Sequence, residues 1–344
     1  MTTKSSLSKK KTILLLFGGE SSEHDVSIAS AKNIFEALDR NMLHVLLGYI
    51  DRSGRWWHVT SIDRDVERST PIQLLPGLST VSIGGVESSV DVVFPVLHGQ
   101  NGEDGTVQGL ARLMHFPIVG CDMTSSLLCM DKPLAKQLLQ GAGLPVVRGE
   151  VFSSNGPLPH FDELTARLGT VLFLKPARQG SSVGVGKATD QETFTSAFKE
   201  ATKYDTRVLI ESAIEKPREL EVAVLGAADN PDVSVVGEII PDREFYTYES
   251  KYDSSSTSQA VIPATIDPEV ASRVRALARQ AYDVLQCQGL ARVDFFLDSQ
   301  GEIYINEINT MPGFTNISMY PKLWEASGLP YADLVAKLLR QAIM

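Results

Sequence analysis

Apolar residues fall into two spacings along this chain, and their alternation outlines its elements. Dense runs of Ile, Leu, Val and Phe at 12–17, 44–50 and 90–97 read as buried strands. Between the first two, Ile28, Ala31, Ile34, Phe35 and Leu38 recur at helical spacing. This β-α-β order predicts a parallel sheet with helices on its faces, and ligands of such sheets sit beyond the carboxyl ends of the strands. The polar loops 18–27 and 98–106 lie there, whereas residues 60–80 read as a surface loop region. Further along, helices are predicted over 106–114, 125–142 with a break near Pro133, 192–202, 268–285 and 331–343. Strands are predicted over 170–175, 208–211, 220–226 and 234–240. The polar stretch 241–264, rich in Tyr, Ser and acid, is long for a loop inside a compact domain and suits a lid. The fold class is α/β, shading into α+β.

The segment 289–318 carries the densest chemistry. Residues 292–297 and 303–309 alternate as two strands, and Asp298-Ser299-Gln300-Gly301 reads as the turn between them. Residues two apart on a strand share a face, so Arg292 joins Asp294, and Glu307 joins Asn309. A register in which paired residue numbers sum to 599 or 601 brings all four to one face, and a one-residue slip separates them. Two carboxylates and an amide oxygen on one face form an all-oxygen site suited to Mg²⁺. The plainer alternative is a solvated polar face on an edge hairpin.

At 344 residues, two or three domains are expected. Hydrophobic content of 43% and charged content of 22% are those of a globular protein in water. The net charge of −10 argues against nucleic acid and against a basic membrane-binding surface. Cys121, Cys129 and Cys287 show no CxxC pairing and no metal-ligand spacing, which points to a reducing cytosol, with the first two as small buried hydrophobes. Residues 1–11 read as a disordered tail; the apolar run 13–17 is too short for a signal peptide, and no stretch approaches the ~20 apolar residues of a membrane span.

Other stretches suggest a phosphate ligand. In the run from Lys175 through Ser181, Ser182, Val183 and Gly184 to Gly186, glycine and serine let backbone N–H groups wrap phosphate oxygens while Lys175 adds charge. The run is neither GxxxxGK[ST] nor GxGxxG before a helix, and an unliganded glycine hairpin is the alternative. Lys132 is either a second phosphate lysine or a surface charge. Glu211, Ser212, Ala213 and Ile214 leave a strand where backbone groups can meet a nucleobase, and Glu219 can take ribose hydroxyls. His98 is either a structural histidine or an acid–base group, and Glu23 and His24 are turn residues unless other groups join them.

Taken together, GGESSEHDVS, LHGQNGEDGTVQG, CMDK, LKPARQGSSVGV, FYTYESKY, ARVDFFL and INEINTMPGFTNISMYP resemble the D-alanine–D-alanine ligases of the ATP-grasp superfamily, in that family's order over about residues 13–340. The resemblance implies an N-terminal Rossmann-like domain (12–121), a central domain (122–212) and a C-terminal domain (213–344) gripping ATP against the central one, with 241–264 as lid. It implies two Mg²⁺, replaceable by Mn²⁺, on Asp294, Glu307 and Asn309. Lys132, Lys175 and the Ser181–Gly184 loop would meet the ATP phosphates; Glu211, Ala213 and Ile214 would meet adenine, and Glu219 the ribose. Glu23 would take the first D-alanine's ammonium within a hydrogen-bonded set with Ser181 and Tyr252, and His98 would adjoin that substrate. Arg292 and the Gly313 N–H would face the developing oxyanion. Lys251, Ser318 and the Met319 N–H would hold the second carboxylate. The family often has a lysine where this chain has Ser212.

The resemblance further implies a bacterial cytoplasmic enzyme of peptidoglycan synthesis, a homodimer with no nucleic-acid or membrane partner. Two other readings compete. One is an ATP-grasp ligase with a different acid or nucleophile; the other is a non-catalytic nucleotide-binding or NAD-dependent module, which the missing GxGxxG disfavours.

Overall fold

The computed structural model describes residues 10–63, 70–241 and 258–343, and within them the strands form three sheets. The first has the order β6-β5-β4-β3-β2-β1-β7. Its strands are β1 (Lys11–Gly18), β2 (Leu43–Ile50), β3 (Trp56–Val59), β4 (Thr70–Leu75), β5 (Thr80–Ile83), β6 (Val86–Ser89) and β7 (Val92–Val96), with α1 (His24–Ala37) after β1. Only the β2-β1-β7 part is parallel; β3 to β6 continue it as an antiparallel meander. Strands β4 and β5 correct the expectation of a loop region over 60–80. Strand β4 buries only Ile72, and of the three side chains that β5 buries only Val81 is apolar, beside Thr80 and Ser82, so their apolar pattern is thin.

Pro95 sits in β7 at the edge of this sheet, where its missing N–H breaks no ladder. Beyond β7 come α2 (Thr106–Leu113), α3 (Met123–Met130) and α4 (Lys132–Gly141). The expected break near Pro133 falls at extended Asp131, whose carboxylate accepts from Leu134 N at 3.1 Å and starts α4 with proline in its first turn.

The second sheet, ordered β10-β9-β11-β8, contains β8 (Gly149–Ser153), β9 (Leu172–Pro176), β10 (Gly186–Ala188) and β11 (Arg207–Ser212). Helices α5 (Phe161–Leu168) and α6 (Gln191–Ala201) cover one face over Leu172, Leu174, Val208 and Ile210. A capping box starts α6: Asp190 accepts from Thr193 N at 2.8 Å, and Thr193 Oγ1 accepts from Asp190 N at 3.2 Å.

The third sheet, ordered β14-β13-β12-β15-β16, is antiparallel throughout. It holds β12 (Arg218–Gly226), β13 (Asp232–Ile240), β14 (Gln259–Val261), β15 (Gly289–Leu297) and β16 (Ile303–Asn309). Strand β14 corrects the reading of 241–264 as loop along its whole length, while residues 242–257 of that stretch lie outside the described ones. Helix α7 (Pro268–Val284) packs on this sheet through Val274, Ala278 and Ala281. Helices α8 (Met319–Ala326) and α9 (Tyr331–Ile343) return the chain to the first sheet. Leu334, Val335, Leu338 and Leu339 of α9 share one buried cluster with α1, β1 and β7. Each such side chain contributes about 1.5–3 kcal/mol of burial, so the two ends of the chain are joined by a core.

The hairpin of β15 and β16 changes register part-way. Next to the turn, Leu297 faces Ile303, Phe296 faces Tyr304 and Phe295 faces Ile305; past Asn306, Asp294 faces Glu307 and Arg292 faces Asn309. The paired numbers therefore sum to 600 at the turn and to the expected 601 at the open end. Asn306 is the extra residue of a β-bulge, so residues 303–309 do not alternate without interruption. The sequence signal is the step from Ile305 to Ile308, with two polar residues between them.

One loop position leaves no room for substitution. A Cβ on Gly102, between β7 and α2, would lie 1.6 Å from the Leu97 carbonyl oxygen. Gly102→Ala is therefore expected to cost about 3 kcal/mol. Urea unfolding checks this, and an unchanged midpoint would count against so tight a loop.

Candidate active site

Chain turns at the ends of β1 and β7 supply the first groups. Gly18 and Gly19 adopt φ of 92° and 98°, and a Cβ on Gly18 would meet the Ile50 oxygen at 2.2 Å, so glycine is required where the chain leaves β1. Glu23 follows at the head of α1, buried, and Ser181 Oγ from the second sheet's glycine loop donates to its Oε1 at 2.8 Å. Thus the Glu23–Ser181 half of the expected set is assembled, while Tyr252 and Lys251 lie outside the described residues.

His98, after β7, has both ring nitrogens engaged. Nδ1 stands 3.0 Å from the Met311 carbonyl oxygen and Nε2 3.1 Å from Ser30 Oγ. Burial lowers its pKa, against the opposing charge of Glu23, so the neutral ring donates from Nδ1 and accepts at Nε2. Since Ser30 Oγ also accepts from Phe314 N at 3.1 Å, His98 and Ser30 together tie the 311–314 turn to β7 and α1. Sequence reasoning missed Glu103 on the same loop, although it sits in the polar run GQNGEDG. Its Oε1 accepts from Gly99 N at 3.1 Å, and burial, reinforced by the charge of Glu23, pushes its pKa up to about 8.

The bulged hairpin supplies the opposite wall. Arg292 makes a two-pronged ion pair with Asp294, 2.7 Å on each prong, and its Nε lies 3.0 Å from Glu221 of β12. Burial opposes the guanidinium charge, but Asp294 and Glu221 outweigh it and drive the pKa further up. Glu221 was another residue missed, hidden because only strand pairing places it opposite Asp294. Glu307 Oε2 lies 3.7 Å from Lys132 Nζ, and Asn309 Oδ1 accepts from Met311 N at 2.8 Å. Among the described residues, no three His, Cys, Asp or Glu side chains are arranged to hold a metal; the hairpin set reaches three donors only through the amide of Asn309.

These walls enclose a cavity of about 420 Å³. Glu23, His98, Glu103, Lys132, Ser181, Arg292, Glu307, Asn309, Gly313, Ser318 and Met319 line it. A Cβ on Gly313 would come 2.7 Å from Ser318 Oγ, so a side chain there would displace the serine hydroxyl. Asp294 is not among the lining groups.

The expected nucleotide residues gather beside the cavity, where the second and third sheets meet. Lys175 Nζ lies 2.8 Å from Glu211 Oε2 and donates to Asn306 Oδ1, the bulge residue, at 3.3 Å. Lys136, absent from the sequence reading, lies 2.6 Å from Glu211 Oε1; its spacing from Lys132 on α4 was the available signal. Burial raises the pKa of Glu211, yet the two lysines outweigh it and the net shift is downward. Lys175 is likewise raised by Glu211 against its burial, whereas burial prevails for Lys136 and lowers it.

Lys132 Nζ donates to the Gln179 carbonyl at 2.6 Å, tying α4 to the glycine loop. In that loop Ser181, Ser182 and Gly184 have φ of 52°, 59° and 71°, and Val183 N donates to Gly180 O at 3.1 Å. Two consecutive serines in the left-handed region are a strained arrangement of the kind found at ligand sites. The Ala213 N–H is taken by the Val171 carbonyl at 3.0 Å, so only its carbonyl can meet a ligand. Ser212 Oγ is buried and has no hydrogen-bond partner among the described residues. Glu219 and Ile214 lie on and before β12, and the charge of Glu219 acts on Lys175.

Comparison with known proteins shows the family to which the chain belongs. The family described as D-ala D-ala ligase N-terminus matches residues 12–121, and D-ala D-ala ligase C-terminus matches residues 138–340. The chain belongs to the D-alanine–D-alanine ligase family. A D-alanine–D-alanine ligase of Shouchella clausii is 47% identical, the match covering 97% of this chain and 95% of that protein. The solved D-alanine-D-alanine ligase of Coxiella burnetii superposes with a TM-score of 0.85 at 37% identity, over 97% of this chain and 95% of that one. The VanG D-Ala:D-Ser ligase of Enterococcus faecalis gives 0.87 at 36%, over 97% and 100%. The fold is therefore the ATP-grasp fold of these ligases, and no helix among the described residues is long and apolar enough to cross a membrane.

Glu103 offers a test of the cavity's electrostatics. Its folded pKa of about 8 lies above its ordinary 4.5, so the fold binds the proton more tightly than the unfolded chain does. Stability from this group is present at low pH and is lost as pH rises through about 8. Relative to the wild type, Glu103→Gln should gain stability between pH 6 and pH 9. Melting temperatures that track each other across that range would contradict the protonated cavity carboxyl.

Proposed function

We propose that the chain joins two D-alanines into D-alanyl-D-alanine at the expense of ATP, in a bacterial cytoplasm, for peptidoglycan synthesis. The observation that carries this reading is one cavity wall shared by Glu23 with Ser181, by Arg292 and by Gly313. In this reading Glu23 takes the ammonium of the first D-alanine and turns its carboxylate toward ATP. A carboxylate oxygen attacks the γ-phosphorus, the bond to ADP breaks, and D-alanyl phosphate forms. The amine of the second D-alanine, having lost a proton, attacks the acyl carbon. A C–N bond forms, the tetrahedral oxyanion collapses, and inorganic phosphate leaves.

Arg292, held charged by Asp294 and Glu221, and the Gly313 N–H face that oxyanion. Ser318, the Met319 N–H and Lys251 hold the second carboxylate. Lys132, Lys175 and the loop carrying Ser181, Ser182, Val183 and Gly184 meet the phosphates; Glu211 and the backbone of Ala213 and Ile214 meet adenine, with Glu219 at the ribose. Acyl phosphates hydrolyse in water, which gives residues 241–264 a reason to close as a lid.

The donors Asp294, Glu307 and Asn309 fit a hard divalent cation, since all are oxygens and the bulge brings them to one face. Two Mg²⁺, or Mn²⁺ in their place, would draw charge from the ATP phosphates when bound. The division at 12–121, 122–212 and 213–344 and a homodimeric assembly belong to the same reading.

Glu307→Gln keeps the shape of the wall and removes one charge from the metal donors. Turnover should fall by at least ~10²-fold, measured as phosphate release at saturating ATP and D-alanine; near-normal turnover at high Mg²⁺ would remove Glu307 from the metal site.

The second substrate needs its own test, because the Enterococcus faecalis neighbour is named a D-Ala:D-Ser ligase. Residues 241–263 contain no histidine and offer Tyr246, Tyr248, Lys251 and Tyr252. With D-alanine, D-serine and D-lactate supplied equally at pH 7.5, D-alanyl-D-alanine should dominate by mass spectrometry. A larger D-alanyl-D-serine or D-alanyl-D-lactate peak overturns that choice of nucleophile.

A further inference from the structure

Glu211 is 1% exposed, and each of its carboxylate oxygens faces a different lysine. Lys175 reaches Oε2 from β9, and Lys136 reaches Oε1 from α4. The two lysines are not equivalent. Lys175 also binds Asn306 on the third sheet and stands where the function proposed above sends it to phosphate. Lys136 sits one helical turn beyond Lys132, is 7% exposed, does not line the 420 Å³ cavity, and faces Glu211. Once a nucleotide draws on Lys175, Lys136 is the cation left to Glu211 alone.

We infer that Lys136 sets nucleobase selectivity through Glu211, keeping that carboxylate ionised and oriented so that a 6-aminopurine triphosphate is preferred to a 6-oxopurine one. The inference rests on the proposed contact between Glu211 and adenine.

An ionised carboxylate only accepts hydrogen bonds, so it pairs with an exocyclic amine and repels a carbonyl in the same place. A protonated carboxyl can donate to that carbonyl, and discrimination is lost. At 1% exposure, a carboxylate sharing its remaining lysine with phosphate would take up a proton rather than bear the desolvation cost. Lys136 prevents this. Loss of Lys136 would deprive Glu211 of a partner and so would also cost stability, but a purely stabilising role would not make the protein distinguish the two purines. Burial lowers the pKa of Lys136, and the Glu211 carboxylate 2.6 Å away opposes this by favouring the ammonium. The role is one of positioning, exerted through Glu211 and not by contact with the reacting atoms.

The test is dipeptide synthesis with ATP and with inosine triphosphate in wild type, Lys136→Met, Lys136→Gln and Lys136→Arg. In both neutral variants the ratio of kcat/KM for ATP over inosine triphosphate should fall about tenfold or more. The loss should appear in KM for ATP, with KM for D-alanine changed by no more than about twofold. Lys136→Arg should keep most of the ratio. Glu211→Gln serves as the control on the underlying reading. If it leaves the ratio unchanged, the adenine contact and the inference fall together. If it collapses the ratio while Lys136→Met and Lys136→Gln leave it intact, the inference alone falls. Neutral variants that do not fold would assign Lys136 to the fold and also overturn it.

Discussion

A strand pair that kept one register from its turn to its open end would leave Asp294 and Glu307 on opposite faces of the third sheet. The extra residue Asn306 prevents this, shifting the pairing by one so that Asp294 faces Glu307 and Arg292 faces Asn309. Much of the site depends on that single insertion. It turns two strands that pack apolar side chains near the turn into a polar wall at their other end, without any break in the sheet. Asn306 also accepts from Lys175, so the bulge ties the third sheet to the second as well as aiming its neighbours.

The polar wall brings an electrostatic cost that the structure meets by pairing. Arg292 stays charged in a buried place because Asp294 and Glu221 flank it, and Glu211 stays ionised because Lys136 and Lys175 do. Both groups are made across elements: β12 with β15 in one, α4 with β9 and β11 in the other. Removing one member of such a group leaves a charge without its partner, which costs far more than the pair contributes. Glu103 follows the opposite course, taking up a proton beside Glu23 instead of remaining a second carboxylate.

The groups that line the cavity are drawn from all three sheets, which explains why it lies where they meet. The first sheet contributes chain ends after β1 and β7, the second a strained glycine loop, and the third the bulged hairpin and the turn after it. His98 links the first and third by holding Met311, and Ser181 links the second to the first through Glu23. α9 packs against α1 and the first sheet, so the frame behind the cavity is closed by a shared core.

Much of this was legible in the residues alone. The apolar spacing located β1, β2, β7, α6 and α9 within a residue or two, because each buries a dense stripe. The motifs named the family, and the face shared by Arg292 and Asp294 follows from strand geometry in any fold. The short strands β4, β5 and β8 were not legible, since β4 buries only Ile72, β8 buries no side chain, and two of the three side chains that β5 buries are the polar Thr80 and Ser82. Neither were Glu221, Glu103 and Lys136, whose roles come from partners far away along the chain: Arg292, Glu23 and Glu211. The sequence by itself determined which elements form and which polar groups they carry, because those depend on spacing along one stretch. Only the tertiary structure decided which charges meet, because pairing across β12, β15 and β16 and between α4 and β11 depends on registers that local spacing does not encode.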